Sequence, residues 1–400
     1  MNSLLATTPC QLCGHHDWQI IDTLFSGVWD KSATELTRQA MEFPIGECQH
    51  CSHVQIVIAY SDGIFKMLYF SSTLEPDMWC DTPQGAKSPY EDMAEFFTPY
   101  LSKCAHIVDF GAGAGATLLY LEKHFADKQL QLASVDFHHH IKSSSIAHIR
   151  ADLNQLEEIK PHFDHQPISL AISTHVLEHI INPVAYLRHL RDCLAPEGHI
   201  FIEVPDCSPD AYIAALAYTN LVHAQHIHYY TKDSLQIMAA SAGLTIIKQQ
   251  QVTTGNIPRI MLLLKKCDHG QTNQINRVNH NARLAVEQRF MGYQACQQAL
   301  INQVKDQLAQ QQIVGIWGIG GDFYLWLKRY PEMIAAIKQQ QICLFDYELA
   351  GHTFHDQVIS SSAELQHFKH PVYIAPIYAP TREKMHNLAA QWQLSNIHLI

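Results

Sequence analysis

The stretch Ile107-Val108-Asp109-Phe110-Gly111-Ala112-Gly113-Ala114-Gly115-Ala116-Thr117 decides the fold. Apolar and β-branched residues lead to an acidic one, and three glycines follow at alternate positions. An apolar helical pattern then runs from Thr117 to Phe125. This is the order of a strand, a tight turn and a helix start. Glycine lets the backbone pass close to a ligand and take positive φ. The ligand that fits such a turn is a nucleotide or a nucleoside-bearing cofactor. Glycine-rich turns also arise by chance, so the neighbouring sequence has to decide.

A second strand pattern, Leu130–Val135, ends at Asp136, roughly 20 residues past the glycines, where a carboxylate can accept from ribose hydroxyls. Ala151-Asp152-Leu153 precedes a further helical stretch. A strand at Ile168–Ser173 leads into Thr174-His175-Val176-Leu177-Glu178-His179-Ile180. A helix then runs from Pro183, with proline in its first turn, to Leu194. Leu194-Ala195-Pro196-Glu197-Gly198 and the apolar run to Pro205 read as a helix end, a turn and a buried strand.

This series resembles the class I S-adenosylmethionine-dependent methyltransferases in motif order and spacing. The resemblance implies that Asp109, Gly111, Ala112, Gly113 and Gly115 hold the methionine part of the cofactor. It implies further that Asp136 binds the ribose, and Asp152 with Leu153 the adenine edge. A dehydrogenase turn would have Gly-x-Gly-x-x-Gly, whereas Gly115 follows Gly113 by two residues. His175 and His179 stand one helical turn apart. As a pair they suit a metal or, as read here, the lining of the cofactor cleft. The run His138-His139-His140 reads as a solvated loop.

At 400 residues the chain exceeds one ordinary core and predicts two to three domains. Net charge is −11, with 27 basic and 38 acidic residues and no basic run. That weighs against a nucleic-acid partner. The N-terminus lacks the charged start and apolar stretch of a secretory leader, and no window approaches ~18 continuous apolar residues. A cytoplasmic protein with no membrane partner is expected. Eleven cysteines in such a chain point to metal or free thiols rather than disulfides.

Four cysteines are paired in sequence: Cys10-Gln11-Leu12-Cys13 and Cys48-Gln49-His50-Cys51. Each Cys-x-x-Cys turn lets two thiolates bind one ion, and two turns complete a closed tetrahedral site. Structural zinc on Cys10, Cys13, Cys48 and Cys51 is the expectation, with strands at Trp18–Leu24 and Met41–Gly46 in the intervening segment. A closed site has no open position for catalysis.

With these knuckles ahead of the cofactor core, the chain resembles the three-domain sugar C-methyltransferases of deoxysugar biosynthesis. Phe43-Pro44-Ile45, His53-Val54-Gln55, Ile64-Phe65 and Tyr69-Phe70-Ser71-Ser72 look like that family's N-terminal module. In that family a Tyr-His-Glu-His segment, followed by an aromatic pair, carries the general base. Here His223-Ala224-Gln225-His226 stands in its place, followed by Tyr229-Tyr230. The resemblance implies His226 as base, with His223, Tyr69 and Tyr229 as further candidate catalytic residues. Carbon methylation beside a ketone needs a proton removed, which a neutral imidazole takes at neutral pH. The enolate oxygen then needs a hydrogen-bond donor. Gln225 replaces the family's Glu, so no carboxylate stands beside the base in sequence.

Past Thr253-Thr254-Gly255-Asn256-Ile257-Pro258-Arg259 comes a strand at Ile260–Leu264, then a linker through Asp268-His269-Gly270, then a polar helix near Asn279–Gln310. Ile313-Val314-Gly315-Ile316-Trp317-Gly318-Ile319-Gly320-Gly321-Asp322, with strands at Ile342–Phe345 and Val372–Pro376, is a second αβ pattern. By resemblance this domain helps bind a nucleotide-linked substrate.

The expected architecture is α/β: a zinc-binding module over residues 1–78, a class I Rossmann-like methyltransferase core over 79–268, and a long helix with a C-terminal Rossmann-like αβ domain over 269–400. The expected activity is methyl transfer from S-adenosylmethionine to a small molecule, plausibly C-methylation of a nucleotide-linked keto sugar. The alternatives are O- or N-methylation of another natural-product intermediate, and a binding or scaffold protein that keeps the fold without turnover.

Overall fold

Short apolar strands alternating with amphipathic helices build a seven-stranded mixed sheet at the centre of the chain. The computed structural model describes residues 7–69, 80–82, 85–208, 221–253, 257–267 and 281–398. Phe70-Ser71-Ser72, Thr254-Gly255-Asn256, Asp268-His269-Gly270, the start of the helix expected at Asn279, and both expected domain boundaries lie outside these residues.

Across the central sheet the strands run Leu244–Val252, Arg259–Lys266, Leu194–Pro205, Ile168–Thr174, His106–Phe110, Gln131–Asp136 and Ala147–Arg150. Arg259–Lys266 is antiparallel to both neighbours, and the other pairings are parallel. Chain order reverses between His106–Phe110 and Ile168–Thr174. In open αβ sheets the ligand crevice opens at the carboxyl ends of strands flanking such a reversal. Ile107 to Phe110 are all buried, as expected for a strand covered on both faces.

The glycine turn leaves the first of these strands with Gly111, Gly113 and Gly115 all left-handed, at φ 78, 52 and 72. The Gly111 N–H donates to Val135 O at 2.8 Å, tying the turn to the next strand. A Cβ on Gly111 would stand 2.4 Å from Val176 Cγ2. Gly111→Ala therefore combines a disfavoured backbone angle with an overlap. We expect it to cost about 2–3 kcal/mol of stability, read as a lowered urea midpoint, and to weaken cofactor binding in calorimetry.

The expected strands of the N-terminal segment are longer than their sequence pattern. Trp18–Asp30 and Thr37–Cys48 form one antiparallel hairpin. Its far end reaches the C-terminal domain. Leu36 is buried in a cluster with Ile301, Val314 and Phe323, and the Trp29 indole N–H donates to Ile319 O at 2.7 Å. The near end carries the second Cys pair and continues into Val54–Ile56. That strand pairs with His228–Tyr229 from the core, so Gln55 faces His228 and Val54 faces Tyr229. The sheet of the N-terminal module is thus completed by the segment that holds the candidate base.

A helix at Asn281–Ala309 precedes the C-terminal domain. There the strands run Ser360–Ser361, Ile342–Asp346, Val314–Trp317, Val372–Ile374 and Ile397–His398, all parallel. Among the described residues no helix is long and apolar enough to cross a membrane.

Candidate functional site

At the carboxyl end of its strand, Asp136 takes two backbone donors. Gly113 N–H donates to Oδ2 at 2.9 Å and His138 N–H to Oδ1 at 3.1 Å. The carboxylate is thereby held against the glycine turn. Asp109 lies deeper, 4 % exposed. Burial, with Asp136 nearby, pushes its carboxyl up to about 7. Asp152 caps its own turn by accepting from Asn154 N–H at 2.8 Å. Leu153 packs by Gly111, its Cδ1 standing 3.5 Å from where a Cβ there would lie. These expected cofactor residues therefore gather at the crevice, with Asp109 beneath it rather than lining it.

His175, at φ 53 on the far side of the reversal, stands between two buried carboxylates. Its Nδ1 is 3.3 Å from Glu178 Oε1 and its Nε2 is 3.2 Å from Glu203 Oε1. Burial opposes its charge, but the two glutamates outweigh burial and raise the imidazole to about 10. Glu203 is itself held by Arg259, Nε to Oε2 at 3.0 Å, with both side chains fully buried. His175 is thus an imidazolium fixed between two anions.

The segment 223–230 is fastened to 175–180 by hydrogen bonds that also set ring tautomers. Ile227 N–H donates to Glu178 O at 2.7 Å. A carbonyl only accepts, so His179 Nδ1, 2.8 Å from Gln225 O, carries a proton. The same holds for His226 Nδ1, 2.7 Å from Leu221 O. Gln225 N–H donates to His223 Nδ1 at 3.2 Å, so the proton of neutral His223 is on Nε2. His226 is 6 % exposed. Its Nε2, left with a lone pair, faces Glu178 Oε1 at 3.9 Å. Burial, with His223 and His179 adding to it, holds His226 well below the ordinary histidine range. Burial likewise brings His223 down to about 3. Both are neutral at neutral pH.

Tyr69 sits at the rim, 38 % exposed, with its hydroxyl 3.0 Å from His179 Nδ1. Gln225 Nε2 donates to Leu68 O at 2.8 Å, anchoring the end of the helix Asp62–Tyr69 beside the cluster. Tyr229 does not join the ring nitrogens. It is buried with Phe43, Ile45 and Val54, and its hydroxyl donates to His223 O at 3.4 Å. The residues to which sequence reasoning gave no site role are Glu178, Glu203 and Arg259. Glu178 stood in a quoted motif, and its position between His175 and His179 was the available signal. In space it provides the carboxylate that Gln225 does not.

The four thiols converge as the spacing implies. Cys10 and Cys51 sulfurs are 3.6 Å apart, and those of Cys13 and Cys48 are 3.5 Å apart. The two knuckles close alike. Gly14 N–H donates to Cys10 O and Ser52 N–H to Cys48 O, each at 2.8 Å, with Gly14 and Ser52 left-handed at φ 79 and 61. Sulfurs bonded at about 2.3 Å to one tetrahedral ion stand about 3.8 Å apart, so the cluster fits zinc.

Residues 85–249 match the family described as Methyltransferase domain. A search of curated proteins found no match to the chain. Among solved structures, an S-adenosylmethionine-dependent methyltransferase from Clostridium acetobutylicum is similar at 10% identity, covering 44% of this chain and 90% of its own, with a TM-score of 0.34. One from Mesorhizobium loti shares 14% identity over 42% of this chain and 95% of its own, at 0.33. The YcgJ protein from Bacillus subtilis shares 10% over 45% of this chain and all of its own, at 0.36. Residues 85–249 are thus matched as a methyltransferase domain, built on the Rossmann-like αβ sheet described above.

Proposed function

We propose that this enzyme methylates a nucleotide-linked keto sugar on the carbon beside its ketone, with His226 removing the proton. The observation that carries this reading is the lone pair on His226 Nε2. The ring is fixed by its Nδ1–H on Leu221 O, neutral, and set beside a buried carboxylate. Burial of the ring lowers its basicity. The Glu178 carboxylate offsets this during transfer by stabilising the imidazolium as it forms. Tyr69, through its hydroxyl, and His223, through Nε2–H, are the donors for the developing enolate oxygen. S-adenosylmethionine, when bound, supplies a sulfonium methyl open to attack by the carbon nucleophile. The residues that would hold it are the turn from Gly111 to Gly115, Asp136, Asp152, Leu153 and His175, with the Asp109 carboxyl acting from beneath the turn.

The C-terminal domain supports a nucleotide-linked acceptor because its turn repeats the geometry of the core. Gly318 N–H donates to Phe345 O at 2.9 Å, as Gly111 does to Val135 O. Ile319 N–H donates to Asp346 Oδ2 at 2.7 Å, as Gly113 does to Asp136. The turn opens on a cavity of about 1080 Å³ lined also by Lys31, Arg38, Lys66 and Lys384. Asp30, Asp346 and Glu348 line the cavity too, and Lys31 pairs with Glu348 at 3.2 Å, so it is Arg38, Lys66, Lys384 and the helix N-terminus at Gly321 that suit a diphosphate.

Two experiments test the reading. In deuterated buffer without cofactor, the enzyme should exchange the C–H beside the ketone of nucleoside-diphosphate keto sugars. O- or N-methylation would leave that hydrogen untouched, and no exchange across a panel of carriers would sink the proposal. The second concerns Asp109. With its carboxyl at about 7, it is ionised above that pH and protonated below. Affinity for the cationic cofactor should fall as pH drops from about 8 to about 6, and Asp109→Asn should be weak and flat across that range by calorimetry. An unchanged slope in the variant would assign the pH dependence elsewhere.

A further inference from the structure

A set of metal-ligating atoms apart from the thiols lies within the histidine cluster itself. Glu178, His179 and His226 each offer an atom within 4.8 Å of the other two. We propose that these three residues bind one divalent transition-metal ion. The inference goes beyond methyl transfer and does not rest on the sugar reading.

The tautomers come first. His179 and His226 both spend their Nδ1–H on a backbone carbonyl. Both Nε2 atoms therefore present lone pairs, at 3.8 and 3.9 Å from Glu178 Oε1. Two lone pairs aimed at one carboxylate call for a cation between them. Fixing a ring by an N–H bond to a carbonyl is also how metal-ligating histidines are oriented. The carboxylate is the second observation. Glu178 is 1 % exposed. Its Oε1 is anchored by His175 Nδ1 at 3.3 Å, while its Oε2 is buried with no hydrogen-bond partner among the described residues. The histidines approach Oε1, and a buried carboxylate whose other oxygen has no partner is costly unless a nearby cation shares its charge.

The donor set selects the ion. Two imidazoles and one carboxylate suit zinc, cobalt, iron or nickel rather than calcium or magnesium. Bonds of about 2.0–2.2 Å would bring the three ligand atoms to about 3.3–3.6 Å apart, so the 3.8 and 3.9 Å separations from Glu178 Oε1 would close by a few tenths of an ångström. Three protein ligands leave a coordination position open. An ion held here takes up the lone pair that His226 would use as a base. The metal-loaded and proton-abstracting forms are therefore separate states of one site, and metal binding can be read without turnover.

The test uses the full chain with its thiol centre kept zinc-loaded and cobalt(II) chloride as probe. Visible d–d absorption should appear without thiolate charge-transfer bands and saturate at one ion per chain. Glu178→Gln and His226→Ala should each weaken it at least ~100-fold, with zinc content and circular dichroism showing that the variants fold. Replacing His138, His139 and His140 together by alanine should leave the signal intact. No saturable signal from the unaltered protein overturns the proposal whatever the variants do. A signal that survives both ligand variants, or one lost with the exposed histidine run, overturns it as well.

Discussion

His226→Ala is expected to lower turnover at least ~100-fold while cofactor affinity stays within about twofold, the usual scale for a lost general base. The two effects separate because the residue and the cofactor turn belong to different segments. The turn is held by Gly111 N–H on Val135 O and Gly113 N–H on Asp136. The His226 ring hangs from Leu221 O and faces Glu178. Its removal leaves Leu221 O without that donor, at a cost of about 1–3 kcal/mol, so denaturant unfolding has to be measured beside kinetics. His226→Asn is the companion variant, because an amide can keep the carbonyl bonded and cannot act as the base. Calorimetry with S-adenosylmethionine and initial rates under saturating cofactor give the two readouts. Near-normal turnover in a folded His226→Asn enzyme would make His226 a lining residue and remove the basis for carbon methylation.

Cys48→Ser should have the largest effect on structure, because the thiol cluster holds up more than its own knuckles. A structural zinc of this kind is worth about 10–16 kcal/mol to the fold it closes. The second knuckle leads within three residues into Val54–Ile56, and that strand pairs with His228–Tyr229. Ile56 N–H also donates to Ile227 O at 2.8 Å. Loss of the centre should therefore loosen the segment carrying His226. The expected result is loss of bound zinc by elemental analysis, a lower melting temperature for the N-terminal unit, and loss of turnover. The cofactor turn, which rests on the central sheet, should bind S-adenosylmethionine with much smaller change. Unaltered zinc content and melting in the variant would mean that the four thiols do not form a metal centre.

The glycine turn and the strands around it were largely legible in the sequence. Strand burial on both faces, glycine at left-handed positions and proline at a helix start each leave a local mark, read over a few residues at a time. Asp136 and the three glycines fall where that reading placed them in the fold. The convergence of the two Cys-x-x-Cys pairs was equally legible, because each pair brings its two thiols together within one turn of chain. The hairpin Trp18–Asp30 with Thr37–Cys48 was underestimated. Its register shifts between Ile20 and Asp22, and its far half packs on Ile319 and the C-terminal core, contacts that carry no local periodicity. Tyr229 is the opposite case. Its place in an aromatic pair suggested the site, whereas the pairing of its strand with Val54 turns it into the N-terminal core.

What the sequence determined alone is the order of the parts: a thiol-rich module, a glycine-turn αβ core and a second αβ unit, because each is encoded by residues near one another in the chain. What only the tertiary structure decided is the electrostatics of the site. His226 comes from one segment, Glu178 and His175 from a second, Glu203 and Arg259 from two adjacent strands. Their ion pairs depend on distances across the fold, and burial then sets which rings stay neutral and which carries charge. Water screens such groups in an extended chain, and only removal from water makes a separation of three or four ångströms decisive.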